Sequence, residues 1–370
     1  MSLSMTDLKT LLNRLGNGGP AEPHEIRALL ELSSPDQILE LFETARYVRT
    51  RYFGFNVFLY GFIYFSTFCR NNCTFCRYRR DNLSLVRYRK SMDEILSTAK
   101  ALAADGVHLI DLTMGEDPEL LKAGQADHPP LPDLAENLTA ETGLPVMLSP
   151  GRVPDDILTE FAERGISWYA CYQETHTREL FNRLRPGQDF NARLHAKHTA
   201  RDLGMLIEDG ILTGAGETRD DLLDSILWMK KLAVDQARVM TLIPQPETPL
   251  ANQQSQDDLT ELKLIAILRL VLQDILIPAS LDVQGLGGLR ARLDAGANVV
   301  TSIVLPQKGL AGVANHDLDI DASRRTVPRI LPILEQCGLT AADQTEYREW
   351  IQLRLRRTHR LNRLRKKTAC

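Results

Sequence analysis

The sequence predicts an α/β protein built on a closed (β/α)8 TIM barrel, with an N-terminal helical extension and a C-terminal helical segment. Three observations predict it. Eight short apolar or β-branched runs alternate with helical stretches over roughly 245 residues between Phe58 and Ile303. No internal repeat, linker or low-complexity stretch interrupts that span. Of the 370 residues, 44% are hydrophobic and 25% charged, which suits a large packed core and excludes a disordered or collagen-like polymer. The simplest division is an extension over residues 1–55, one barrel over 56–315, and a C-terminal segment with a basic tail over 316–370.

The extension reads as short helices. Leu8, Leu11, Leu12 and Leu15 recur at helical spacing, and Ser34-Pro35-Asp36 places a capping serine and an N1 proline before Ile38, Leu39, Leu41 and Phe42. Strands are then expected at Phe62–Ser66, Leu109–Thr113, Val146–Ser149, Trp168–Gln173, Leu206–Leu212, Arg238–Ile243, Ile277–Leu281 and Val299–Ile303. Helices are expected between them at Ser91–Ala104, Pro154–Arg164, Gln188–Leu203, Thr218–Leu232 and Asp257–Leu272, with capping signals at Ser91-Met-Asp-Glu94 and Thr218-Arg-Asp-Asp221. A closed barrel places its chemistry at the carboxyl ends of these strands.

No run of 18 apolar residues occurs, and Met1 to Leu15 has no signal-peptide core, so a cytoplasmic protein without a membrane partner is expected. The net charge of −4 conceals an asymmetry: eight Lys or Arg lie between Arg354 and Lys367, leaving 36 basic against 48 acidic residues, or −12, in the rest. The tail is read as a solvated helix whose Leu353, Leu355, Leu361 and Leu364 pack lightly on the body, with no catalytic part.

The six cysteines are too sparse for a disulfide scaffold, yet three fall within eight positions as Cys69-Arg-Asn-Asn-Cys73-Thr-Phe-Cys76, directly after the first strand. Three thiolates on one tight loop can hold three irons of a [4Fe–4S] cube and leave the fourth iron open to a ligand. A zinc site or a ferredoxin-type cluster would want a fourth ligand, and the nearest histidine, His108, lies on another strand. Gly214-Ala-Gly216 and Gly285-Leu-Gly287-Gly288 fall short of a dinucleotide fingerprint, since Arg219 and Arg290 replace the last glycine; they read as turns into helices.

The Cys-x3-Cys-x-aromatic-Cys pattern after a first barrel strand resembles the radical S-adenosylmethionine (SAM) superfamily. The resemblance implies that the amino and carboxylate groups of SAM chelate the open iron, and that one electron splits SAM into methionine and a 5′-deoxyadenosyl radical. Gly115-Glu116, after the second strand, resembles the segment that binds the methionine amino group through its backbone. Glu174, at the end of the fourth strand, is assigned to the same amino group, and Arg193, opening the next helix, to the carboxylate.

Other strand ends are unusually charged: Asp111 ends strand two, Arg238 opens strand six, and Ser280 and Asp282 close strand seven. An unpaired buried charge costs about 3–5 kcal/mol, so these groups pair with one another or await a charged ligand. Two carboxylates and an arginine suit an amino acid.

Phe62-Ile-Tyr-Phe-Ser-Thr-Phe-Cys69, Asp111-Leu-Thr-Met-Gly-Glu-Asp-Pro118, Ser149-Pro-Gly151, Tyr172-Gln-Glu-Thr175, Glu208-Asp-Gly-Ile-Leu-Thr-Gly214, Arg238-Val-Met-Thr241, Pro278-Ala-Ser-Leu-Asp282, Gly296-Ala-Asn298, Val300-Thr-Ser-Ile303 and Gly312-Val-Ala-Asn315 together resemble the methylornithine synthase family of pyrrolysine biosynthesis, over about Ala45 to Asn315. The resemblance implies isomerisation of L-lysine to (3R)-3-methyl-D-ornithine. Hydrogen abstraction at lysine C4 is followed by Cα–Cβ fragmentation into a glycyl radical and an aminobutene, which recombine. It also implies a substrate site of Asp111, Ser149, Arg238, Ser280 and Asp282, a one-electron reductant such as flavodoxin or ferredoxin, and downstream pyrrolysine-biosynthesis enzymes as partners. The basic tail departs from the family. Sulfur insertion of the biotin-synthase kind would need further cluster ligands, and only Cys171, Cys337 and Cys370 remain, widely scattered. A nucleic-acid binder using the tail is opposed by the acidic body.

Overall fold

The structure is a computed structural model that describes residues 3–122, 130–254, 258–310, 312–314 and 325–368, with side chains as far as Leu364. Three helices, α1 (Met5–Gly16), α2 (Pro23–Leu30) and α3 (Pro35–Phe53), precede β1 (Asn56–Ser66). The barrel continues through α4 (Met92–Asp105), β2 (Leu109–Met114), α5 (Leu131–Thr142), β3 (Val146–Ser149), α6 (Asp155–Glu163), β4 (Trp168–Ala170), α7 (Arg178–Leu184), α8 (Phe190–Asp202) and β5 (Leu206–Thr213). It ends with α9 (Arg219–Leu232), β6 (Gln236–Thr241), α10 (Leu259–Leu272), β7 (Pro278–Ser280), α11 (Leu289–Asp294) and β8 (Val299–Ile303), followed by α12 (Val327–Gln336), β9 (Thr340–Ala341) and α13 (Gln344–Thr368).

The strands run parallel in the order β6-β5-β4-β3-β2-β1-β8-β7. The Ala237 N–H donates to the Leu276 carbonyl at 3.0 Å and the Leu276 N–H to the Asp235 carbonyl at 2.9 Å, which brings β6 to the approach of β7 and closes the ring. Side chains alternate in and out with the period of two that a strand imposes. In β1, Val57, Leu59, Ile63 and Phe65 join the outer core beneath the helices, whereas Phe58, Tyr60, Phe62 and Tyr64 point inside. The lowest inner layer is apolar, with Leu109, Met147, Trp168, Leu206, Leu276 and Val299. The alternation then carries Asp111, Glu208, Arg238 and Thr301 inward one step higher, all buried.

Helix α13 closes the lower end. Tyr347, Ile351, Arg354 and Thr358, one face at helical spacing, are buried. The Tyr347 hydroxyl lies 2.6 Å from that of Tyr60, and Trp350 stacks on Trp168 with centroids 6.0 Å apart. The light packing expected of the tail leucines holds only for Leu355: Leu353 and Leu364 are exposed because they lie off the buried face, and Leu361, which continues that face, is exposed as well. Arg354 instead anchors the tail through Asp235 and Asp274 at 3.0 and 2.9 Å.

Several expected boundaries move. β1 starts six residues before Phe62, since Asn56 to Phe62 pairs with β2, β8 and β9. Asp111 is the third residue of β2 rather than its end, and Arg238 the third of β6 rather than its start. β4 stops at Ala170, and the segment Gln173 to Thr175 runs on irregularly with Glu174 bridged in parallel to Ile211 of β5; Arg193 lies in the first turn of α8, three residues beyond its start. Asp282 lies beyond β7. The capping boxes at Ser91–Glu94 and Thr218–Asp221 form as the sequence indicates. The barrel boundary placed at residue 315, Asn315 itself, Cys370 and the side chains of Arg365, Lys366 and Lys367 lie outside what is described.

Candidate active site

The β1–α4 connection carries the three clustered cysteines to the upper mouth of the barrel. Cys69, Cys73 and Cys76 line one cavity with Glu174, Arg185 and Arg193. Arg87 holds this loop by donating to the carbonyls of Thr67, Tyr78 (2.9 Å), Arg79 (2.6 Å) and Asn82 (3.0 Å). The Cys73 sulfur faces Gln188 Nε2 at 3.0 Å and Arg185 Nη1 at 3.4 Å. Burial pushes the Cys69 thiol up to about 11, and burial followed by the neighbouring thiols pushes Cys76 well above its ordinary value.

Gly115 follows β2 and lies against this loop, where a Cβ would overlap the Phe68 carbonyl; only glycine permits the approach. Its carbonyl accepts the Asp117 N–H at 2.7 Å, and that of Glu116 accepts the Arg70 N–H at 3.0 Å. The Glu116 side chain does more than its backbone. Its Oε1 accepts from Arg193 Nη1 and from the Arg152 N–H, both at 2.8 Å, and its Oε2 from Arg70 Nε at 3.1 Å. Burial works to raise the Glu116 carboxyl, but Arg193, the Arg152 N–H and Arg70 outweigh it and hold it low. Glu174 sits at φ +68° and is paired with Arg185 at 2.6 Å. Its backbone N–H donates to the Gly210 carbonyl, and its carbonyl accepts the Leu212 N–H, each at 3.0 Å. The turn after β5 is closed by Glu217, whose carboxylate accepts the N–H groups of Gly214 (2.8 Å) and Ala215 (2.9 Å).

Below lies the charged layer. Arg238 Nε donates to Glu208 Oε1 at 2.8 Å and Nη1 to Thr301 Oγ1 at 2.8 Å, while the guanidinium sits between the Phe62 and Tyr172 rings, 5.6 and 5.5 Å from their centroids. Asp111 Oδ1 accepts from Ser149 Oγ (2.7 Å) and Thr113 Oγ1 (3.0 Å). Burial, then the Glu208 charge, pushes the Asp111 carboxyl up to about 7. Asp282 accepts from Ser302 Oγ (2.6 Å), Arg325 Nη1 (2.7 Å) and the Tyr64 hydroxyl (3.1 Å). Ser280 Oγ accepts the Asp282 N–H at 3.3 Å. Asp111 Oδ2 and Arg238 Nη2 are buried without a hydrogen-bond partner. Ser149, Arg238 and Asp282 line the cavity; Asp111 and Ser280 are not among its lining residues but each bonds one that is, Ser149 and Asp282 respectively.

Of the two alternatives left open for these groups, pairing with one another is not what forms: Arg238 pairs with Glu208 and Asp282 with Arg325, residues to which the sequence reading gave no role. Glu208 had a signal, a carboxylate inside an otherwise apolar strand, and Arg185 likewise escaped notice. Cys171, taken as an ordinary thiol, also lines the cavity.

The residues fit an iron–sulfur cluster. Three thiols on one loop line a single cavity, the donor set and placement that three irons of a [4Fe–4S] cube require.

A barrel with this cysteine loop over a charged floor defines a radical SAM protein, and residues 63–229 match the Radical SAM superfamily model. More closely, the chain is 42% identical over 345 residues to 3-methylornithine synthase of Methanosarcina acetivorans, covering 93% of this chain and 97% of the relative. The solved structure of methylornithine synthase (PylB) superposes with a TM-score of 0.86 at 41% identity, over 92% of this chain and 99% of that one. The [FeFe] hydrogenase maturase subunit HydE of Thermotoga maritima is 35% identical over 266 residues, covering 70% of this chain and 74% of the relative. The chain belongs to the 3-methylornithine synthase family.

Proposed function

We propose that this protein is a radical SAM isomerase that converts L-lysine to (3R)-3-methyl-D-ornithine, the first step toward pyrrolysine. One observation carries the substrate. The buried layer sets three carboxylates, Asp111, Glu208 and Asp282, against two guanidiniums, Arg238 and Arg325, and leaves one acceptor (Asp111 Oδ2) and one donor (Arg238 Nη2) unpartnered. Lysine, with two ammonium groups, one carboxylate and a net charge of +1, complements both the charge and the open positions.

Cys69, Cys73 and Cys76 would hold a [4Fe–4S] cluster, which together with SAM would supply the radical that removes hydrogen from lysine C4. The chain's residues do the rest. The turn at Gly115-Glu116 and the Glu174 carboxylate take the methionine amino group of SAM, and Arg193 its carboxylate. Arg238 takes the lysine carboxylate, and Asp111, supported by Ser149, an ammonium group. Asp282, held by Arg325 and backed by Ser280, adds negative charge at the cavity wall. While the Cα–Cβ bond is open the substrate is in two pieces, so clamps at its ends and the closed barrel keep the pieces aligned and water out.

A one-electron reductant such as flavodoxin or ferredoxin, and downstream pyrrolysine-biosynthesis enzymes, complete the reading, with the cytoplasm as its place. Among the described residues no helix is long and apolar enough to cross a membrane. Anaerobic reconstitution with iron, sulfide, SAM and lysine is expected to yield a lysine isomer by mass spectrometry. SAM cleavage without methylornithine would overturn the substrate and leave a radical SAM enzyme acting on a different small amino-acid-like molecule.

A further inference from the structure

Directly behind the segment Gln173–His176 that carries Glu174, between the barrel and its helices, Asp209 and Lys197 form an ion pair with both side chains wholly buried. Asp209 faces outward because it follows the inward-facing Glu208 in β5. Its Oδ1 accepts the N–H groups of Gln173 and Gly210, both at 2.8 Å. Its Oδ2 accepts from Lys197 and lies 3.1 Å from His176 Nε2. Lys197 Nζ also donates to Gln173 Oε1 at 3.1 Å, and Gln173 Nε2 to the Phe190 carbonyl at 3.3 Å, where α8 begins. One carboxylate thus ties down Gln173 and His176, on either side of Glu174 and Thr175.

The same pair reaches the other SAM residue. Lys197 follows Arg193 by four positions on α8, so the two share a face. Arg193 Nε donates to the Tyr172 carbonyl at 2.7 Å, one residue before Gln173. The segment carrying Glu174 is therefore fastened to α8 at Tyr172 and Gln173, and to Asp209 of β5 at Gln173 and His176. Neither Asp209 nor Lys197 lines the cavity. A buried ion pair is weak support for stability, because apolar side chains of similar volume commonly replace it without loss. Glu174, however, holds φ +68°, a left-handed setting that a non-glycine residue keeps only when its surroundings over-determine it.

We infer that the buried Asp209–Lys197 pair is a positioning element, which sets Glu174 and Arg193 at the mutual spacing that grips the methionine end of SAM. The inference rests on the assignment of Glu174 and Arg193 to that end.

The test compares full-length, cluster-loaded protein with the double variant Asp209→Asn/Lys197→Gln, which removes both charges so that neither is stranded. Binding is measured for SAM and for 5′-deoxyadenosine, which lacks the methionine end. The SAM Kd is expected to rise about 10- to 100-fold, with iron content and the 5′-deoxyadenosine Kd held within about twofold. An unchanged SAM Kd, or equal losses for both ligands, would overturn the inference. If the double variant folds poorly, Gln173→Met cuts the Lys197 link to the segment carrying Glu174 while leaving the ion pair whole, and the same selective loss is expected. Glu174→Gln and Arg193→Gln separate the two levels. If neither weakens SAM binding, the assignment of the methionine site fails; if both do and the double variant does not, only the positioning inference fails.

Discussion

Arg193 Nη1 lies 2.8 Å from Glu116 Oε1, with the two side chains 5% and 6% exposed. The ion pair joins α8 to the turn after β2, so two residues 77 positions apart that are both assigned to SAM touch each other. Arg70 and the Arg152 N–H converge on the same carboxylate, and the cysteine loop is drawn to it as well.

Glu116→Ala leaves the Arg193 guanidinium buried without its counter-charge. Breaking such a pair costs about 3–5 kcal/mol, to be read from urea denaturation, and the misplaced guanidinium is expected to raise the SAM Kd by about tenfold or more. Wild-type stability in this variant would show that Tyr172 and the backbone suffice to hold Arg193.

Four thiols line the cavity, and only three are assigned to iron. Cys73→Ala is expected to abolish the brown iron–sulfur absorbance together with SAM cleavage. Cys171→Ala is expected to leave both intact. Iron loss in the Cys171 variant would make it a cluster ligand.

Arg87 donates to four carbonyls between Thr67 and Asn82, an arrangement that needs the planar guanidinium fork. Arg87→Lys keeps the charge and loses most of those bonds, so iron incorporation is expected to fall and protease cleavage between residues 67 and 82 to speed up. Iron analysis and limited proteolysis of the iron-free protein check the two effects separately.

Asp111, pushed up to about 7, holds its proton near neutrality in the ligand-free protein. An ammonium group favours the carboxylate, so lysine binding releases that proton. Lysine affinity should rise as pH increases toward 7, by up to about tenfold per unit on the acid side, and level off above. Stability of the ligand-free protein runs the opposite way. The folded state binds this proton more tightly than the unfolded chain does, so the stabilisation is full below the ordinary carboxylate range and is lost as pH climbs through 7. Calorimetric titrations of lysine and thermal melts across this range check both slopes, and Asp111→Asn should remove the contribution to each.

Local signals carried most of the fold. Val146–Ser149 and Val299–Ile303 form strands at the expected residues, because each is a short apolar or β-branched run bounded by polar or turn residues. Helices α2, α5, α7, α11 and α12 were not singled out. The two-residue β9 was not legible either, since it exists only by pairing with Asn56 and Val57 nearly 300 positions away. Trp168 to Gln173 looked like one strand, yet regular pairing stops after Ala170, where Asp209, Lys197 and Gly210 capture the backbone and side chain of the following residues.

The sequence by itself determined the chemistry on offer: three cysteines on one loop after the first strand, a parallel barrel to carry them, and charged residues in strands where apolar ones would suffice. Which charges face one another was decided by tertiary structure. Period-two alternation turns Glu208 inward and Asp209 outward; the pairing of β5 with β6 then hands Glu208 to Arg238, and the packing of α8 on β5 hands Asp209 to Lys197. Thirty positions separate the first pair along the chain and twelve the second. Coulomb attraction and desolvation act through space, so no local pattern could choose between Asp111, Glu208 and Asp282 as the partner of Arg238. Strand register and barrel closure made that choice, and in making it left Asp111 Oδ2 and Arg238 Nη2 unpartnered for a ligand.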